Sequence, residues 1–212
     1  MTAPERVALG FEDFASGRAF AHPDHIITDR ATLNMLMTDF RRHLDAASTE
    51  TNVVIRYIPT EESWFRRVII PGPLRAAARD GFTIVGFFGR RRDEVAPAIN
   101  EAIDELGKQL DAAIPSAPGV LGYTTHLLAD EKNYSNLVVL ESPDAILQWR
   151  NMSPHPHAAE LVSPGFYDHV RIYHGQATIT GPEPTDVQLD LQRVKYWDFR
   201  DQPTWHAVRE LV

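Results

Sequence analysis

Between Gly81 and Gly175 the apolar residues change spacing from two to three or four and back again, and so mark out six elements. Gly81–Gly89 is β-branched and aromatic between glycines, as a buried strand is. After Asp93, the residues Val95, Ile99, Ala102, Ile103, Leu106, Leu110 and Ile114 form one stripe, which predicts an amphipathic helix stopping before Pro115. Val120–Leu128 alternates as a second strand, and the polar turn Asp130–Asn133 leads into a third, Tyr134–Glu141. Ser142-Pro143-Asp144 opens a second helix, which carries Ile146, Leu147 and Trp149 to about Met152 before Pro154 and Pro156. A short helical piece, His157–Val162, precedes a last strand, Phe166–His174.

The order βαββαβ, with right-handed crossovers, gives a four-stranded antiparallel sheet with both helices on one face. The other face is apolar and needs cover. The expectation is therefore an α+β protein whose ferredoxin-like unit, residues 81–175, pairs through that face into a homodimeric α+β barrel. Residues 1–80 form an N-terminal extension. It reads as a helix (Thr28–Ala47), a strand (Thr51–Ile58) and a helix (Glu61–Ile70), the outline of a partial second ferredoxin-like repeat. Residues 176–212 form a C-terminal tail, with a linker at Gly181–Pro184 and an edge-strand pattern at Val187–Leu191. Tyr196, Trp197 and Trp205 equip that tail to dock on a partner chain.

Composition narrows the chemistry. The 212 residues are 43% apolar and 24% charged, ordinary for a globular protein, and the net charge of −8 argues against a nucleic-acid partner. The single basic triplet, Arg90-Arg91-Arg92, is followed at once by Asp93 and Glu94. With no cysteine there is no disulfide, thiolate metal site or thiol nucleophile. No apolar run of membrane-spanning length exists and the N-terminus lacks a signal-peptide core, so a cytoplasmic protein without a membrane partner is expected. Val85-Gly86-Phe87-Phe88-Gly89 lacks the third glycine of a dinucleotide turn.

From Trp149 through His155-Pro156-His157 to Tyr167 and Val170-Arg171-Ile172-Tyr173-His174-Gly175, the chain resembles the antibiotic-biosynthesis monooxygenase-like superfamily over about 95 residues. That resemblance implies a dimeric α+β barrel holding a small-molecule ligand. It also implies either cofactor-independent oxygenation of an apolar or aromatic oxygen-bearing substrate, or heme bound by a histidine of the second helix. Trp149 matches the family's helix tryptophan, and His155 or His157 stands near the histidine position. Gly81–Gly89 has no asparagine where the heme degraders carry one on the first strand.

The residues themselves suggest roles beside the resemblance. In an extended chain the rings of His155 and His157 point to one side and can face a ligand or heme together, and with His22 and His25 a four-histidine site is imaginable. No spacing specifies a third metal ligand, so no metal site is assigned. Tyr167, His169, Arg171 and Tyr173 share one face of the last strand by alternation. On that face Arg171 would stabilise an anion and His169, or His157, would act as base, with Trp149 as a pocket wall. The plain alternatives are a core tryptophan, loop histidines that cap backbone groups, and a polar interface patch. A non-catalytic ligand-binding or interaction protein is then the competing reading, in which the N-terminal helix fills the pocket with Leu36 and Phe40.

Overall fold

A computed structural model describes residues 6–50, 53–58, 63–152 and 155–212. Its elements in chain order are β1 (Val7–Leu9), α1 (His25–Ala46), β2 (Val54–Tyr57), β3 (Ser63–Ile70), α2 (Pro73–Ala77), β4 (Gly81–Arg91) and α3 (Pro97–Ala113). They continue with β5 (Val120–Leu128), β6 (Asn133–Leu140), α4 (Asp144–Asn151), β7 (Tyr167–Ile179), β8 (Val187–Asp198) and β9 (Trp205–Glu210). The strands join in one sheet, ordered β1-β9-β8-β7-β4-β6-β5-β3-β2. Only β1–β9 pairs in parallel. At its centre, β7-β4-β6-β5 with α3 and α4 is the antiparallel ferredoxin-like unit expected from the sequence.

The face expected to await a second copy is covered by the chain's own α1. One stripe of that helix (Leu33, Leu36, Met37, Phe40, Leu44) packs against Phe82, Ile84 and Phe88 of β4, Leu121 of β5, Leu137 and Val139 of β6 and Tyr173 of β7. Two glycines let the helix approach. A Cβ at Gly86 would stand 2.7 Å from Leu33, and one at Gly122 would overlap the Phe40 ring. Val54 of β2 and Ala207 of β9, at opposite ends of the sheet, belong to the same core. Nine flat strands would span about 38 Å against a helix only about 10 Å across. The sheet therefore curls around α1.

On the outer face, α3 and α4 cover a second core of Val85, Val120, Tyr123, Val138, Leu140 and Trp149. A third cluster, Phe166, Tyr167, Val170 and Phe199, closes one end.

Several boundaries differ from the sequence expectation. Glu61–Ile70 was expected to be helical, yet Ser63–Ile70 is a strand; Glu61 and Glu62 lie outside the described residues, as do Thr51 and Asn52 of the preceding strand. Its period of two is hidden because both faces are buried: Val68 and Ile70 join the α1 core while Ile69 joins the outer one. The intervening arginines each find a carboxylate on opposite sides, Arg66 on Asp39 of α1 and Arg67 on Asp111 of α3. The C-terminal tail is the hairpin β8–β9, hydrogen-bonded to β7 of its own chain; β9 pairs with Arg193–Asp198, while Val187–Leu191 pairs with β7 alone among the described residues, on the open edge expected of it. α3 begins at Pro97, since Asp93 is drawn instead to Lys132. Helical turns run from His155 to Phe166 across Pro164-Gly165; Pro154 lies outside the described residues. No helix among the described residues is long and apolar enough to cross a membrane.

Candidate functional site

The stripe of α1 that fills the sheet is apolar from Leu33 onward and polar in its first turns. Four residues before Leu33 stands Asp29, and four before that His25, on the same side of the helix. Where the apolar stripe ends, a cavity of about 220 Å³ opens between helix and sheet. It is lined by His25, Thr28, Asp29 and Thr32 of α1 and by the adjoining ends of β4 (Phe88–Arg90), β5 (His126, Leu128), β6 (Asn133–Ser135) and β7 (His169, Arg171).

At its floor, Arg171 donates from Nε to Asp29 Oδ2 at 2.6 Å and from Nη2 to Asp29 Oδ1 at 2.8 Å, and the Tyr173 hydroxyl donates to the same Oδ2 at 2.7 Å. The Asp29 carboxylate is thereby committed to structure. Burial opposes the charge on Arg171, but the hydrogen bonds and charge of Asp29 outweigh it and raise the pKa above the ordinary arginine value. Burial and the Asp29 carboxylate hold the Tyr173 phenol protonated far above its usual range. Among the described residues Nη1 of Arg171 has no protein acceptor, so one edge of the guanidinium is left to the cavity.

The three cavity histidines are all held neutral at pH 7, to different degrees. Burial and then Arg171, helped by Arg200 and Arg90 against Asp198, push His169 down to about 3. Burial and then Arg66 lower His126, whose Nδ1 lies 3.5 Å from Ser135 Oγ. Burial and then Arg171 lower His25, but here Asp29 and the Ala19 backbone act in the opposite direction. His169 stacks on Phe20 with ring centroids 4.2 Å apart and planes 6° from parallel, and its Nδ1 is buried with no hydrogen-bond partner among the described residues.

The residues expected to converge are divided between the two faces of the sheet. His169, Arg171 and Tyr173 share the α1 face. Tyr167 does not, because the β4–β7 register slips between Arg90 and Arg91 and a bulge at Asp168 turns it into the third cluster. Trp149 lies on the outer face, against Tyr123 and edge-on to His155 at 5.6 Å. His155 and His157 sit in a helical turn, where residues two apart point in nearly opposite directions, and neither lines the cavity. No group of three or more His, Asp or Glu side chains among the described residues is placed to hold a metal. Asp29, His25 and His126 complete the site, and sequence reasoning gave them no role in it together. The available signal was an acid at an apolar-stripe position, four residues before Leu33.

No protein-family model and no curated protein matches the chain. Among solved structures, the chain is similar to SnoaB from Streptomyces nogalater, described as a cofactor-independent oxygenase. The identity is 23% over 50% of this chain and 99% of that one, with a TM-score of 0.35. It is also similar to an uncharacterised ferredoxin-fold protein related to antibiotic biosynthesis monooxygenases from Listeria monocytogenes, at 13% identity over 63% and 85% of the two chains and a TM-score of 0.35. A monooxygenase-like protein from Listeria innocua matches at 12% identity over 63% and 85%, with a TM-score of 0.33. Likenesses of this depth say nothing of ligand or activity.

Proposed function

We propose that the chain is an enzyme acting on a small phenolic or enolic molecule in the cavity beside α1, and that its reaction is oxygenation without a cofactor. The observation that carries this reading is the meeting, in one cavity, of a clamped guanidinium with a free edge and neutral imidazoles. Arg171 Nη1 would hold the oxygen of the deprotonated substrate, a charge best stabilised by a donor fixed in advance. His25 is the better proton acceptor. Protonating His169 would set a fourth cation against Arg171, Arg200 and Arg90, whereas an imidazolium at His25 has Asp29 beside it. His169 then serves as a neutral hydrogen-bonding wall.

The electrons come from the substrate itself. An activated ring methylene becomes a carbonyl, one atom of dioxygen enters it, and the other leaves as water with the two hydrogens. At about 220 Å³ the cavity is smaller than typical drug-sized sites, so a ligand of one or two rings is favoured. α1 occupies the face through which a dimeric barrel would close, so this site needs no second copy. Heme is no part of the reading, since His155 and His157 lie away from the cavity.

The test is oxygen uptake with a panel of one- and two-ring phenols, naphthols and activated methylene compounds, comparing the protein with His25→Gln. Uptake that falls by about a hundredfold in the folded variant, the size of a lost general base, supports the reading. Uptake equal in both, or absent throughout, overturns it.

One observation favours a second reading, a non-catalytic binding protein: Leu36 and Phe40 of α1 are fully buried against the sheet and, among the described residues, leave only the small cavity beside Asp29 open. Saturable phenol binding without turnover would establish it.

A further inference from the structure

The segment Gly10–Asp24, which precedes α1, crosses one end of the curled sheet and is tied down unusually well. Arg209 of β9 is fully buried beneath it. Its Nη1 donates to the carbonyls of Gly10 and Phe11, its Nη2 to those of Asp13 at 2.9 Å and Ala21 at 3.0 Å, and its Nε to the Tyr196 hydroxyl at 3.3 Å. A guanidinium has five N–H donors, and all five are used here on four carbonyls of one short segment and one phenol. Arg18 adds a second tie, lying 4.4 Å over the Trp205 ring and paired with Asp198 and Asp201.

What the anchor holds in place is a segment that packs against two of the cavity's histidines, His25 and His169. Next to Ala21 comes Phe20, buried and stacked flat on His169. Next to that is Ala19, whose backbone acts on His25. Both imidazoles are thus touched by adjacent residues of this one strap, beside the burial and the Arg171 charge that act on them most.

We propose that the strap Gly10–Asp24 is part of the site, with Phe20 the positioning residue that fixes the His169 ring towards the ligand and Arg209 the bolt that holds Phe20 there. This rests on the reading of the cavity as a ligand site. A flat aromatic partner blocks rotation of the ring about its Cβ–Cγ bond. It also keeps water off a face that would otherwise be solvated. The other groups facing His169 are Arg171 of β7, Arg90 of β4, Asp198 of β8 and Arg200 just beyond it; they act on the ring with or without Phe20, so removing Phe20 relieves burial, the largest cause that holds the ring neutral.

The experiment uses the full chain and the variants Phe20→Leu, Phe20→Tyr and Arg209→Lys. Nitrogen-15 spectra of the His169 ring are followed against pH, and binding of p-nitrophenolate is followed by its absorption shift. In Phe20→Leu the His169 titration should move up towards the ordinary histidine value and the affinity for p-nitrophenolate should fall about tenfold. Phe20→Tyr should restore both, and Arg209→Lys should behave as Phe20→Leu does. An unchanged His169 titration in folded Phe20→Leu overturns the proposal, as does a changed titration with unchanged affinity. Absence of p-nitrophenolate binding by the parent protein would overturn the phenolate site itself, while the titration would still decide whether the strap sets the ring. If Arg209→Lys fails to fold, the two Phe20 variants decide.

Discussion

Arg171 and Asp29 stand 142 residues apart in the chain and meet edge to edge, Nε to Oδ2 at 2.6 Å and Nη2 to Oδ1 at 2.8 Å. Their pairing joins the N-terminal helix to the last strand of the ferredoxin-like unit, at the point where the apolar stripe of α1 gives way to the cavity. It aims the remaining edge of the guanidinium and at the same time fixes the helix in register.

Breaking that pair should therefore be costly. Asp29→Asn or Arg171→Met leaves the other partner buried and uncompensated, with an expected loss of about 3–5 kcal/mol, while the double change to Asp29→Leu with Arg171→Met should recover much of it. Urea unfolding of the three variants measures this. A single variant within about 1 kcal/mol of the parent would show that the pair is not buried as described.

Close approach of α1 depends on missing side chains. Gly122→Ala puts a methyl group into the Phe40 ring and should cost about 1–3 kcal/mol, with part returned by adding Phe40→Leu. If Gly122→Ala has no effect on the urea midpoint, α1 does not lie against β5 in solution.

The buried histidines give stability a definite pH dependence. His169 is pushed down to about 3 by burial and the neighbouring arginines, and His174 to about 4 by burial and then Lys195 and Arg193. Below about 6.5 the unfolded chain takes up protons that the folded one refuses, so stability falls as pH drops from about 6.5 towards these values and is flat above. Urea midpoints measured between pH 4 and 8 should show this slope, and His169→Phe should make it shallower. An equal slope in the variant would mean that His169 is protonated in the folded state.

Trp149 separates core from site. Trp149→Phe should lower stability modestly yet leave ligand affinity within about twofold, because the tryptophan lies on the outer face against Tyr123. A loss of p-nitrophenolate binding in this variant would move the site to the outer face.

The sequence by itself determined the ferredoxin-like unit. Each of its elements shows one clear period, since each strand or helix of residues 81–175 is bounded by proline, glycine or polar turns and presents apolar residues at a regular spacing. It also pointed to His169, Arg171 and Tyr173, whose alternation along one strand is a local property. Tyr167 was misplaced because a bulge is a matter of register with β4, and register is set between strands. β3 was misread because burial on both faces erases alternation. Only the tertiary structure could decide what covers the open face of the sheet, because the apolar stripe of α1 fits a second copy or its own chain equally well as a sequence. The same holds for the site: Asp29, His25 and Phe20 come from one end of the chain and Arg171 and His169 from a strand far along it, and they meet only because the sheet curls around the helix that carries Asp29 and His25.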